Sequence, residues 1–410
     1  MTSLAIKTWD ERSVHTARLL LIAFPVVLML STSATVALEA VIYILFVASP
    51  SLRSRLLHAL RSPESIALLA FGVILLFGML YGDAPWEARW RALAGWRKLL
   101  LFPMAVALFA NEISKRTFIK VFFGFCIVVA LLSFLFDGLG IDITPRLSAG
   151  VVVHNYITQG LLLTMGAAIA AAALLRPQVF SGDPFLGNRP VMGAALLAFL
   201  INIAFVIIGR SGYLAVLVAM MVVVATLAPV ALRTRIVTAI GVLLVVAMMI
   251  AVSERARTRI ALAIEEIRTA ESAPQITSVG VRFVMWQNTL SMIEKNPILG
   301  VGTGSFMEGY RREVAGRTSP NQTPTNDPHN QFLRILAEHG LLGLAAFGAF
   351  LVLCLAAPAP TPYRQLAATG LIAWCATSLF SSHFSTFVEG RLIFLWLGVM
   401  LAGARPQLST

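Results

Sequence analysis

His329 lies in Asp327-Pro328-His329-Asn330-Gln331-Phe332-Leu333-Arg334, where a polar stretch gives way to an apolar run that continues to about Leu355. Histidine has an ordinary pKa suited to proton transfer near neutrality, and at such a junction both water and a lipid-borne molecule can reach it. A lone interfacial histidine is more often a plain helix-start residue, so its company decides the reading. Arg210 lies in Ile208-Gly209-Arg210-Ser211-Gly212-Tyr213 between two apolar runs with almost no loop between them. Inserting arginine into a membrane span costs about 2.5 to 3.5 kcal/mol, so an anionic partner is expected, and the planar guanidinium fork suits phosphate oxygens. Arg282, heading Arg282-Phe283-Val284-Met285-Trp286, falls on the same side. Together the three suit a lipid pyrophosphate: arginines neutralise charge on a leaving group while the histidine removes a proton from an attacking hydroxyl. Arg146, in Thr144-Pro145-Arg146-Leu147, with His154 and Asn155 soon after it, is a further candidate cation. The alternative for each arginine is a snorkelling side chain that caps a helix turn.

On a wheel at about 100° per residue, a helix beginning at His329 places Leu333, Leu336 and Gly340 within about 40° of the histidine. Gly340 would then permit close helix approach. Arg334 and Glu338 fall on the opposite side at the spacing of an intrahelical ion pair, and read as structural. The run Gly300-Val301-Gly302-Thr303-Gly304-Ser305 resembles a phosphate-cradling loop but has no Walker lysine, so a tight turn is the better reading. Asp327 has no second carboxylate beside it, and no His, Asp or Glu cluster suits a divalent ion, so metal-independent chemistry is expected. Cys126, Cys354 and Cys375 sit far apart in apolar runs and read as packing residues. Glu39 is expected to pair inside the bundle. His339 and His383 have no supporting motif.

The elements that must position these residues follow from composition. Hydrophobic residues make up 58% of the chain and charged ones 13%, with a mean hydropathy of +0.82. A soluble globule of 410 residues could not hide that much apolar surface. The apolar runs are continuous, not alternating, so the spans should be helices and the fold an all-α polytopic bundle of about twelve spans. The net charge of +12 comes without a basic arm, a zinc-finger spacing or an aromatic-studded basic strand, which argues against nucleic acid. Short-loop Lys and Arg favour both termini in the cytoplasm. Residues 1–252 are expected to hold nine spans and 329–410 three more with a short cytoplasmic tail. Between them, 253–328 forms one large outer loop with amphipathic helices over Arg259–Arg268 and Arg282–Lys295. No internal repeat is visible.

Three motifs resemble the O-antigen ligase and polymerase family of bacterial envelope glycosyltransferases. They are Gly209-Arg210-Ser211-Gly212; Arg282 to Phe306 with Trp286, Pro297, Gly300, Gly302 and Gly304; and His329-Asn330-x-x-Leu333 with Glu338 and Gly340. The resemblance implies a multi-pass protein of the bacterial inner membrane with its large loop and active site in the periplasm. It implies glycan transfer from undecaprenyl diphosphate without nucleotide, metal or other cofactor. His329 would be the catalytic base; Arg210, Arg282 and Arg146 would hold the donor pyrophosphate, and Asn330, Trp286 and Ser211 would support the site. The family's ligases use lipid A-core as acceptor, its polymerases a second lipid-linked glycan, and related enzymes a protein. Length, and a chain end close to the last span, favour the ligase branch. A lipid-linked glycan flippase is the non-enzymatic alternative, but its ionisable residues should line a path across the bilayer instead of gathering on one side.

Overall fold

The computed structural model describes residues 3–142, 150–207, 209–228, scattered positions between 233 and 262, 278–316 and 323–404. Arg146 and most of the Arg259–Arg268 segment therefore lie outside the described residues. Among those described, every regular element is a helix: α1 (Ser3–Leu30), α2 (Thr32–Ala48), α3 (Pro50–Ala59), α4 (Pro63–Tyr81), α5 (Trp86–Gly95), α6 (Leu101–Leu108), α7 (Glu112–Leu139), α8 (Tyr156–Leu175), α9 (Arg189–Ile201), α10 (Arg210–Leu227), α11 (Ser278–Lys295), α12 (Phe306–Val314), α13 (Gln331–Ala356), α14 (Tyr363–Thr377) and α15 (Val388–Leu401).

Seven of the described helices are long and apolar enough to cross a membrane, or eight if α2 and α3, bent by 98°, form one span. The expectation of about twelve is not reproduced, for identifiable reasons. Helices α6, α14 and α15 have 8, 15 and 14 residues, and 235–252 falls largely outside the described residues. The α2–α3 bend is local chemistry. Ser49 ends α2 in extended backbone and caps α3 by accepting from Leu52 N–H, while Pro50 occupies the first turn, where no N–H is needed. The Asp10 carboxylate takes both the Ser49 and Ser51 hydroxyls, fixing the corner to α1.

Large side chains such as Ile44, Val73, Leu76, Leu80, Leu131 and Leu135 point outward from α2, α4 and α7. In water such a surface would drive association; in lipid it is the expected exterior. At the centre stands α8, with 89% of its apolar window buried. Packing between helices in lipid depends on close backbone approach, and α8 supplies it with small residues: a Cβ at Gly160 would come within 3.2 Å of Gly212 Cα on α10. The starts of α8 and α10 meet there, and their ends meet where Arg176 Nε donates to Leu227 O at 2.8 Å. The two helices therefore run parallel. A second, smaller core (Met285, Met292, Val301, Phe306, Tyr310, Val314) joins α11 and α12 to Leu333, Leu336 and Ala337 of α13.

Helix α13 is broken at Gly340, which has φ 61° and ψ −164°. The loop after Pro297 enters the break. Val301 N–H and Gly302 N–H donate to the Ala337 and Glu338 carbonyls at 2.9 and 2.8 Å, and Leu341 N–H donates to Pro297 O at 2.8 Å. A Cβ on Gly340 would lie 2.1 Å from Ile298 O, and one on Gly300 2.4 Å from Glu338 C. Gly340 thus permits close approach of a loop backbone, not of a helix as the sequence pattern suggested.

Candidate functional site

His329 is not in the helix that the hydrophobic pattern assigned to it. Asn330 is the N-cap of α13, its Oδ1 accepting from Phe332 N–H at 3.0 Å and Leu333 N–H at 3.1 Å, so the helix starts at Gln331. His329 precedes the cap with φ 53°, a left-handed backbone that non-glycine residues adopt only when held. It is held by Asp327, whose Oδ1 accepts from His329 N–H at 2.9 Å and from Ser382 Oγ at 2.6 Å. Contrary to the wheel, His329 therefore shares no helical face with Leu333 and Leu336. Those two leucines pack into the smaller core.

The surroundings of this turn are fixed from three directions. Trp286 Nε1 on α11 donates to Pro328 O at 2.9 Å, and its ring lies 6.2 Å from Phe380. Gln331 N–H donates to Ser378 O at 2.9 Å, its Nε2 to Ser385 Oγ at 2.9 Å, and its Oε1 accepts from Ser385 N–H at 3.0 Å. Lys98 Nζ, buried, donates to the carbonyls of Ser385 and Thr386. The His329 imidazole makes no hydrogen bond, ion pair or ring contact with any described residue. A half-exposed ring on an immobilised turn is available for chemistry.

Arg210 opens α10 directly after the extended Gly209. The preceding turn, Asn202–Val206, is a π-helix in which Ile207 N–H reaches back to Asn202 O at 3.0 Å. The positive end of α10 thus adds to the guanidinium charge, a setting that favours an anion. Arg210 and Ser211 share the bundle end of His329 by a chain of contacts. The start of α10 packs on the start of α8; Thr158 of α8 donates to Glu389 at the start of α15; and the segment before α15 holds Gln331. Arg282 lies one turn, about 6 Å along the helix, before Trp286, which touches the His329 loop. Asn330 and Trp286, expected to support the site, act on its backbone. Arg146 lies outside the described residues; Gly150 and Val152, the nearest described residues with side-chain anchors after it, are held by Gln159. Gln159 Nε2 donates to Gly150 O at 3.0 Å, and its Oε1 accepts from Val152 N–H at 2.8 Å.

Sequence reasoning that expects catalytic carboxylates in pairs passes over Asp327, which acts alone. Its spacing to His329 is that of an Asx turn, a signal available in the sequence. His383 is also missed, although it is buried beside the His329 turn with neither ring nitrogen hydrogen-bonded. Burial pushes the His383 imidazole below its ordinary pKa, against the pull of the Glu389 and Asp327 carboxylates. Arg334 does approach Glu338, at 3.8 Å, but it also lies 4.0 Å from Asp327 Oδ2, so it faces the histidine turn instead of pointing away. The Glu338 carboxylate lies beside the N–H groups of Gly304 and Phe306 at the start of α12. The glycine run is therefore a structural turn. Glu39 pairs inside the bundle as expected, with Arg391 Nη2 and Arg97 Nε each 2.9 Å from Oε2. Among the described residues no three His, Cys, Asp or Glu side chains gather at one point.

Residues 193–348 match the family model described as O-antigen ligase, and that segment contains Arg210, Arg282 and His329. Over that segment the chain is similar to the O-antigen ligase family. A curated protein of Haemophilus influenzae, described as uncharacterized, is 35% identical over 71 residues, which is 17% of this chain. The chain spans only 18% of that relative's length. O-antigen ligase family proteins are membrane glycosyltransferase-type ligases and polymerases, and a helical membrane protein with its polar candidates at one end of the bundle is in keeping with them.

Proposed function

We propose that this protein is an O-antigen ligase, transferring O-polysaccharide from undecaprenyl diphosphate to lipid A-core at the periplasmic face of the bacterial inner membrane. The observation that carries this reading is His329, its ring unpartnered among the described residues, on a turn fixed by Asp327 at the same bundle end as Arg210 and beside the helix of Arg282. His329 takes the proton from an acceptor hydroxyl, and that oxygen attacks the anomeric carbon of the donor sugar. The bond from this carbon to the pyrophosphate oxygen breaks, the configuration inverts, and undecaprenyl diphosphate departs with its charge neutralised by Arg210 and Arg282. Arg146 is a further donor-binding cation in this scheme. Each step uses side chains of this chain, with no energy input from a nucleotide.

The purified full-length protein, incubated with lipid-linked glycan and lipid A-core in the absence of ATP and added metal, is expected to give the joined product with inverted anomeric configuration. Product formed only when a second lipid-linked glycan is the acceptor would make the protein a polymerase instead. Movement of intact donor across a vesicle membrane with no joined product would replace the enzymatic reading with a flippase.

A further inference from the structure

At the bundle end opposite His329, the start of α7, the start of α14 and the ends of α8 and α10 enclose a crevice of about 450 Å³. That volume lies within the range of about 300 to 1,000 Å³ typical of small-molecule sites. The two ends are distinct: α14 runs from this crevice to Ser378, which holds Gln331, and α8 runs from Thr158 beside Glu389 to Arg176 here. A helix of twenty residues such as α8 is about 30 Å long.

Two arginines line the crevice. Arg116 is oriented by Glu112, its Nε 2.8 Å from Oε1, and by Val179 O, which accepts from Nη2 at 3.1 Å. Arg176 commits only Nε, to Leu227 O. The outer guanidinium nitrogens that remain are donors in the lining of a space with one surplus positive charge, since Glu112 offsets one of the two. Gln365 supplies an independent sign of a missing ligand. Its Nε2 donates to Thr361 Oγ1 at 3.2 Å, while its Oε1 is buried without a hydrogen-bond partner. Turning the amide over would leave the nitrogen in that state, so one buried polar atom in the crevice wall lacks a partner in either orientation. Beside Glu112, Ile113 is 79% exposed, an apolar shoulder at the level where membrane-spanning helices end.

We propose that this crevice binds the phosphate of a glycerophospholipid headgroup, with the phosphodiester on Arg116 and Arg176 and a headgroup hydroxyl or amine on Gln365. One surplus positive charge matches one phosphodiester, the forked guanidiniums match its oxygens, and the shoulder at Ile113 receives the acyl chain. The site is separate from the transfer chemistry and does not depend on it.

The test uses full-length protein stripped of lipid in detergent, offered dioleoylphosphatidylglycerol, dioleoylglycerol or glycerol 3-phosphate, with retained ligand counted by native mass spectrometry. One phosphatidylglycerol per chain should be retained, and dioleoylglycerol should not. Arg116→Gln combined with Arg176→Gln should weaken retention about tenfold or more, the loss expected for removing charge-assisted hydrogen bonds. Because Arg176 also ties α8 to α10, Arg116→Gln alone and Gln365→Leu, which spare that tie, should each weaken retention while the unfolding temperature holds. Equal retention of dioleoylglycerol, or unchanged retention in folded Arg116→Gln and Gln365→Leu proteins, would overturn the proposal. Binding of glycerol 3-phosphate without binding of the lipid would overturn the lipid assignment and place the ligand in solution.

Discussion

Two polar loops meet the first half of α13, and they are finished in opposite ways. In the Pro297–Ser305 loop the chain consumes its own hydrogen-bonding capacity. The amides of Val301, Gly302 and Thr303 reach carbonyls of α13 and α4, and the Glu338 carboxylate lies beside those of Gly304 and Phe306. In the Asp327–Gln331 loop Asp327, Trp286 and Ser378 hold the backbone, yet the imidazole it carries is left unused by the described residues. The glycine-rich loop has the sequence of a phosphate cradle and is closed by a side chain of its own protein. The histidine loop has the sequence of a helix start and is a strained turn that presents an imidazole without a described partner. Glycine content alone therefore does not mark an anion site; what matters is whether the amides still have capacity to give.

Removing the imidazole should separate the loops most sharply. His329→Ala is expected to lower the glycan-transfer rate about 10²- to 10⁴-fold, the usual contribution of a positioned general base. Thermal unfolding should barely change, because the ring has no described partner to lose. The reverse signature is expected in the filled loop. Gly340→Ala places a Cβ against Ile298 O in a backbone region open only to glycine, and should cost about 2 to 5 kcal/mol in unfolding free energy. If Gly340→Ala were as stable as the parent, the loop insertion would be wrong. Arg210→Lys and Arg282→Lys keep charge but lose the fork, and each should reduce transfer about 10- to 100-fold in the assay with lipid-linked donor. Full activity in both would leave the histidine without its pyrophosphate clamp.

The smallest effect expected is on pH dependence. His383 has a lowered pKa in the folded protein because of burial, against about 6.5 when unfolded. Between those values the unfolded chain binds the extra proton, so stability should be full above about pH 6.5 and fall as pH drops through that window. Unfolding temperatures measured from pH 8 to pH 5 should fall in the parent and fall less in His383→Gln. Equal slopes would show that His383 does not titrate on unfolding.

The helical membrane character of the chain was legible because continuous apolar runs have one physical solution in lipid. The Arg334–Glu338 spacing and the internal pairing of Glu39 were legible for the same kind of local reason. What escaped was set by contacts between distant segments. The hydrophobic pattern ran through His329 as if it were helical, although Asn330 is a favoured N-cap and already marked the true start at Gln331. Nothing near Gly340 announces that residues 297–302 will enter the helix there. Lys98 and Gln331 reach Ser385 from 287 and 54 residues away, and Asp327 acquires its role only once Ser382 and His329 share one of its oxygens.

The central claim is that the His329 ring itself accepts the proton. Chemical rescue tests it most directly: purified His329→Ala protein is assayed for joined glycan product with and without added imidazole. The account predicts a nearly inactive variant whose rate rises with imidazole concentration, and rises further as pH increases the neutral, basic fraction of the added imidazole. Transfer by His329→Ala at the parent rate with no imidazole present would contradict it.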